Sequence, residues 1–415
     1  MLQVSRSGVS RRAVLAGLAA SGALSVEARA ADRALANRTL YVTPRGSGDG
    51  SSWRAAASLH DIARLVALLR GGGEILLAAD QGEYAIGEGF DIDAGGAEHN
   101  SIRVRGVNRS GAPMQAILRG NRRGRYLGDE GFRLARGADH VAFSHLSFRD
   151  VGNGCIHVGA PIAGLMIEDC SFNNVYRFLE NTASEHEGDA SLSDFAVRRC
   201  SGARVERGFL RIRYASSHGV IEDCHAQGRA NRGGAIPEGC ALDDRAGNIV
   251  YRRCIMENFQ QWRELEYWNG DGFSDEGDNS NIRYEDCQAR GSTDGGFDCK
   301  SNNVVLANCV AQGNKRNFRI WGDRATLTNC TSRNPVMRGN PLQQGDVCHI
   351  WIGGEDGRVS IEDLTVEDSD ATPIFEFDED SASVELSGSL LHTPRENWGR
   401  VRISRQGARA IIRPD

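Results

Sequence analysis

Three short segments of this 415-residue chain gather side chains able to hold and move a proton. They read Tyr267-Trp268-Asn269-Gly270-Asp271-Gly272-Phe273, Thr293-Asp294-Gly295-Gly296-Phe297-Asp298-Cys299-Lys300 and Asn314-Lys315-Arg316-Asn317-Phe318-Arg319-Ile320-Trp321-Gly322. Phe273, Phe297 and Phe318 are 24 and 21 residues apart. If they form one inward column, the next residue in each segment faces outward: Ser274, Asp298 and Arg319. Lys300, two positions beyond Asp298, shares that face, and Asp271 and Asp294 fall in the turns just before their strands. Three carboxylates then meet two cations on adjacent levels of the fold. Ca²⁺ prefers such hard oxygen ligands. A bound Ca²⁺ holds a sugar carboxylate and acidifies the C5 proton of a uronate. A nearby base removes that proton, and the 4-linked sugar leaves by β-elimination.

The elements that must position these groups repeat. Seven times an apolar residue and two polar ones precede a cysteine: at Ile167–Cys170, Val197–Cys200, Ile221–Cys224, Tyr251–Cys254, Tyr284–Cys287, Leu306–Cys309 and Leu327–Cys330. The cysteines are spaced 30, 24, 30, 33, 22 and 21 residues apart, and a period in this range means a solenoid. The shortest unit is too small for a helix pair and fits one coil of three short strands and three turns. Coils stack about 4.8 Å apart. The predicted fold is all-β, a single-stranded right-handed parallel β-helix. One cysteine per coil reads as an inward ladder of small side chains with free thiols; disulfides between neighbours in the column are the alternative.

The flanks differ. Residues 1–30 read as an export signal. Arg11-Arg12 precede an uncharged stretch, Ala28-Arg29-Ala30 offers a small-x-small cleavage site, and Ser10–Leu15 resembles a twin-arginine signal. Residues 31–95 form an N-terminal cap. It has a strand at Thr39–Val42, a helix with apolar residues Leu59, Ile62, Leu65, Val66 and Leu69, and a buried strand at Glu74–Ala78. A short capping helix covers the open apolar end of a solenoid. The β-helix proper spans 96–392, and 393–415 is a C-terminal tail. Glycine is abundant (50) and proline scarce (9), which suits short strands joined by tight turns. The signal carries four arginines and one glutamate out of 49 basic and 55 acidic residues, so its removal takes the net charge from −6 to −9. That balance gives no support for nucleic-acid binding. No later segment is apolar enough to span a bilayer. The expected product is a periplasmic or secreted monomer.

The three segments resemble family 9 polysaccharide lyases, the pectate-lyase-like β-helix enzymes. Asn269–Phe273 matches the family's first motif, Asp294–Asp298 its second, and Asn317–Gly322 its third. The resemblance implies Ca²⁺ ligands at Asp271, Asp294 and Asp298, and a catalytic base at Arg319. Two positions depart: Gly295 stands where the family has an acidic ligand, and Arg319 where it has lysine. Arginine is normally fully protonated. Lys300 is the chemically easier base if burial and a neighbouring cation lower its pKa. Trp268 and Trp321 are candidate sugar-stacking platforms, and Lys315 and Arg316 candidate binders of further carboxylates on an acidic polysaccharide or oligosaccharide. The expected activity is a Ca²⁺-assisted lyase on a uronate-containing polysaccharide. Three other readings share the fold: a glycoside hydrolase, which needs two carboxylates flanking the scissile bond, a uronan epimerase, and a non-catalytic glycan-binding solenoid.

Overall fold

The computed structural model describes residues 38–392, except 125, 265, 340–344, 355–356, 371 and 379–381, together with 401–403 and 409–413. The export-signal reading therefore lies outside the described residues. The chain winds as a right-handed parallel β-helix with three sheets. The first has 16 strands and the second and third 12 each, and neighbours in each sheet pair in parallel one coil apart.

A backbone requirement at the first corner explains the cysteine phrase. Each first-sheet strand ends two residues before its cysteine, as Met166–Glu168 does before Cys170. The residue between them adopts a left-handed conformation, with φ of 50–57° at Asp169, Arg199, Asp223, Arg253, Asp286, Asn308 and Asn329. That single residue turns the chain, and Asp and Asn tolerate the conformation better than most side chains. The two arginines are held by their neighbours one coil back: Arg199 grips Asp169 at 2.7 and 3.0 Å, and Arg253 grips Asp223 at 2.6 and 3.0 Å. The cysteine then points inward, and its thiol donates to a carbonyl of the preceding coil, as Cys254 does to Ile221 at 3.4 Å. All eleven cysteines are buried free thiols.

At the N-terminal end a 3-10 turn, Leu59–Asp61, leads into the helix Ile62–Leu68. Ser58 caps it by accepting from the His60 amide at 3.2 Å. Leu59, Ile62, Leu65, Val66 and Leu69 are buried, and the stack of the His60 ring on Phe90 marks where this cap meets the third sheet. The sheets run past both expected limits of the β-helix. Thr39–Val42 already pairs with Gly73–Ala78. Inside the expected tail, Val401–Ile403 and Arg409–Arg413 pair with Phe375–Phe377 and Ser383–Ser387. No helix among the described residues is long and apolar enough to cross a membrane.

Candidate active site

The candidate site residues lie on the third sheet and the turns beside its strands. Asp271–Asp275, Gly295–Cys299, Arg316–Ile320 and Cys348–Ile352 are successive rungs of it. Their register aligns Phe273, Phe297 and Phe318 on the inner face, with rings 4.9 and 5.4 Å apart and planes within 5° and 9°. Ser274, Asp298, Arg319 and Trp351 form the next line, on the outer face. The column read from the 24- and 21-residue spacing is present, and it brings Asp271, Asp294, Asp298, Lys300 and Arg319 into one cluster.

Asp294 lies at its centre and is fully buried. Its Oδ2 accepts from the Tyr267 hydroxyl at 2.7 Å and from Arg319 at 3.2 Å; its Oδ1 meets Lys315 Nζ and Arg316 at 2.9 Å each. Burial pushes this carboxyl up, but the charges of Arg319, Lys315 and Arg316 outweigh it and hold the pKa at about 2. Lys315 answers differently: burial of its amine outweighs the pull of Asp294, and its pKa falls to about 8. The Lys315 ammonium lies over the Tyr267 ring, 3.7 Å from its centre, and Arg316 donates to the Tyr267 oxygen at 2.8 Å.

Asp298 faces Arg319 at 3.0 Å, the Trp321 indole N–H at 2.9 Å and Lys300 Nζ at 3.5 Å. The Arg319 guanidinium lies against the packed pair of Trp321 and Trp351, 4.7 and 5.1 Å from their ring centres. Burial alone lowers its pKa, but Asp298 and Asp294 raise it above the ordinary arginine value. Its side chain keeps 16% of its surface exposed, which makes it the cation of the cluster that reaches solvent beside Lys300 at 26%. Asp271 accepts from the Gly295 amide at 2.6 Å. Burial, Asp298 and Asp294 push its carboxyl well above the usual range.

Four expectations need correction. Lys315 and Arg316 do not offer themselves to a substrate: the first is wholly buried, the second nearly so, and both are spent on Asp294. Lys300 is not an amine of lowered pKa. Burial acts in that direction, but its pairs with Asp298 and Glu276 dominate and raise it. Trp321 is not a free platform, because it packs on Trp351 with centres 4.3 Å apart and stacks Arg319. Trp268 is half-buried and donates its indole N–H to the Arg263 carbonyl at 2.5 Å. Sequence reasoning also missed the central role of Tyr267. Its position depends on the loop before Asp271, which Gln261 pins by accepting from the Asn269 amide at 2.9 Å, and no repeat signals that contact.

The donor set does not fit Ca²⁺. Both oxygens of Asp294 are occupied by cations and a phenol, and Asp298 is bound by Arg319 and Trp321. Gly295 supplies no ligand. A Cβ there would lie 2.9 Å from Asp271 Oδ1 and 3.0 Å from Asp298 Cβ, so an acid at this position would stand between the two aspartates. No group of three or more acidic, histidine or cysteine side chains among the described residues is arranged to hold a metal.

A second polar group copies the contacts of a nucleophile–base–acid series without its exposure. Ser332 meets His349 Nδ1 at 2.8 Å and His349 Nε2 meets Asp368 at 3.2 Å. Ser332 and His349 are completely buried, and Asn317 donates to the Ser332 oxygen at 2.9 Å. This is an interior network that satisfies buried polar atoms.

No protein-family model matches the chain, and no curated protein matches it in sequence. Solved structures do resemble it. Pectate lyase Pel9A aligns over 73% of this chain and 77% of its own, at 19% identity and a TM-score of 0.55. The A-module of the mannuronan C-5 epimerase AlgE4 of Azotobacter vinelandii aligns over 90% of this chain and 100% of its own, at 12% identity and a TM-score of 0.56. At such identities the likeness is one of architecture, and it establishes that this chain has the right-handed parallel β-helix fold of those two proteins.

Proposed function

We propose that this protein is a lyase that cleaves a uronate-containing polysaccharide by β-elimination. The observation that carries the reading is the register pair Asp298–Arg319 on the outer face, with Lys300 beside it. Arg319 is a fixed, partly exposed guanidinium, the group best shaped to receive a sugar carboxylate through two N–H bonds. It stabilises the negative charge that grows on that carboxylate as the C5–H bond breaks. Lys300, in its unprotonated fraction, takes the C5 proton. The C–H electron pair forms the C4=C5 double bond, the C4–O bond breaks, and the leaving oxygen takes a proton from water. The two structures of like fold lend support, one being a pectate lyase and the other an epimerase named for work at C-5.

The test is incubation with a panel of polyuronates, following the ultraviolet absorbance of unsaturated ends. Absorbance that appears with wild type and not with Arg319→Ala is the expected result. One observation favours a second reading. The Asp271 carboxyl is pushed up while that of Asp294 is held at about 2, and carboxyl groups pushed apart in this way serve glycoside hydrolases. New reducing ends without absorbance would decide for hydrolysis. Uptake of solvent deuterium at C5 without chain cleavage would decide for epimerisation.

A further inference from the structure

We infer that Lys315, Arg316 and Arg319, gathered on Asp294 and tied together by Tyr267, are a built-in cation centre that occupies the place of a divalent metal, so that this site neither binds nor needs Ca²⁺. The part of the inference that concerns substrate rests on the lyase reading; the part that concerns metal does not.

The geometry supports this in three ways. Charge comes first: the carboxylates of Asp294 and Asp298 are already matched by the three cations Lys315, Arg316 and Arg319, so the cluster needs no ion to offset them. A divalent ion could enter only by expelling a buried cation and leaving it unpaired, which is heavily unfavourable. Position comes second. Arg319 bridges Asp294 at 3.2 Å and Asp298 at 3.0 Å and lies against the packed pair Trp321 and Trp351, so its charge is held in place between the two carboxylates. Composition comes third. Gly295 sits in the column directly before Arg316, so on this line the chain has a bare backbone and then a cation where a metal site needs ligands. The carboxylate of an acidic glycan then pairs with the exposed edge of Arg319 rather than with a metal.

Calorimetric titration of the metal-stripped protein with CaCl₂, in the absence of glycan, tests the metal claim directly. The expected result is no saturable binding up to about 1 mM, the weak end of protein calcium sites. Arg319→Ala removes the guanidinium from Asp298 Oδ2 and Asp294 Oδ2, leaving Trp321 and Lys300 on Asp298 and Tyr267 on Asp294, and should acquire saturable binding, together with a melting temperature that rises with CaCl₂. Adding Gly295→Asp to Arg319→Ala supplies a further carboxylate between Asp271 and Asp298 and should tighten binding by about tenfold or more. Arg319→Lys keeps the charge and should stay calcium-blind, which guards against a trivial effect of disturbing the site. Stoichiometric Ca²⁺ binding by the wild type, abolished by Asp298→Asn, overturns the inference. So does a folded Arg319→Ala/Gly295→Asp variant with no calcium affinity. If the wild type is calcium-blind yet cleaves no polyuronate, the lyase reading fails and the cation centre stands.

Discussion

Arg319 and Lys300 divide the proposed chemistry by their protonation. Asp294 and Asp298 keep the guanidinium charged throughout the working range, so it acts as a permanent electrophile and not as a base. Removing it in Arg319→Ala should lower kcat/KM on a polyuronate by on the order of 10²-fold, the loss typical of one transition-state donor. Arg319→Lys should retain part of the activity. Lys300 carries the pH dependence. Its folded pKa lies above the ordinary 10.5, so nearly all of the amine is protonated at neutral pH. The free-base fraction grows about tenfold per pH unit below the pKa. Lyase rates should therefore climb by nearly that factor per unit between about pH 8 and 10. A flat profile over that span removes Lys300 from the role of base. At this level the sequence was partly informative. The outward pair Asp298–Arg319 follows from phenylalanine spacing alone. The burial of Lys315 and Arg316 does not, because consecutive cations read as solvated until Asp294 and Tyr267 from earlier in the chain are known to lie against them.

The corner between the first and second sheets governs local stability. Each corner needs one residue with φ near 50–57°, and Asn329 meets it while also donating to Asn308 at 2.9 Å. Asn329→Val forces a β-branched residue into the left-handed region and should destabilise the protein by about 1–2 kcal/mol. Asn329→Gly should do so by clearly less, as denaturant midpoints would report. The cysteines behind these corners are all buried, and burial lifts the thiols of Cys155, Cys240 and Cys299 in the third sheet well above their ordinary value. An alkylating reagent should label none of the eleven in native protein and all of them in denaturant. Labelling below eleven after denaturation without reductant would reveal disulfides. The sequence made this element legible because a turn and a core position recur in fixed order. The irregular loops that bring in Tyr267 and Trp268 have no such repetition, and their course is set by single contacts such as that of Gln261.

A solenoid has two ends, and each exposes strand edges and apolar core to water. Here the helix Ile62–Leu68 closes one of them, with Leu65 and Val66 fully buried. Deleting residues 38–72 should leave the coils of the active site with their register but turn a monodisperse protein into aggregates, read by light scattering. The cap was legible because its apolar residues follow helical spacing, unlike the coils. The limits of the solenoid were less so. Val401–Ile403 and Arg409–Arg413 lie beyond the last corner cysteine, where the repeat that marks the coils has ended, and their pairing with the preceding coil identifies them as strands.

The third sheet joins every coil to the next by parallel pairing, and this makes the length of its outer face a modular quantity. Copying one whole unit, from one corner cysteine to the next, would lengthen the face by about 4.8 Å. Existing contacts within the other coils would stay as they are. The three coils that carry Asp271, Asp298 and Arg319 would keep their mutual geometry. The extent of the face and the arrangement of the candidate cluster are thus free to evolve separately.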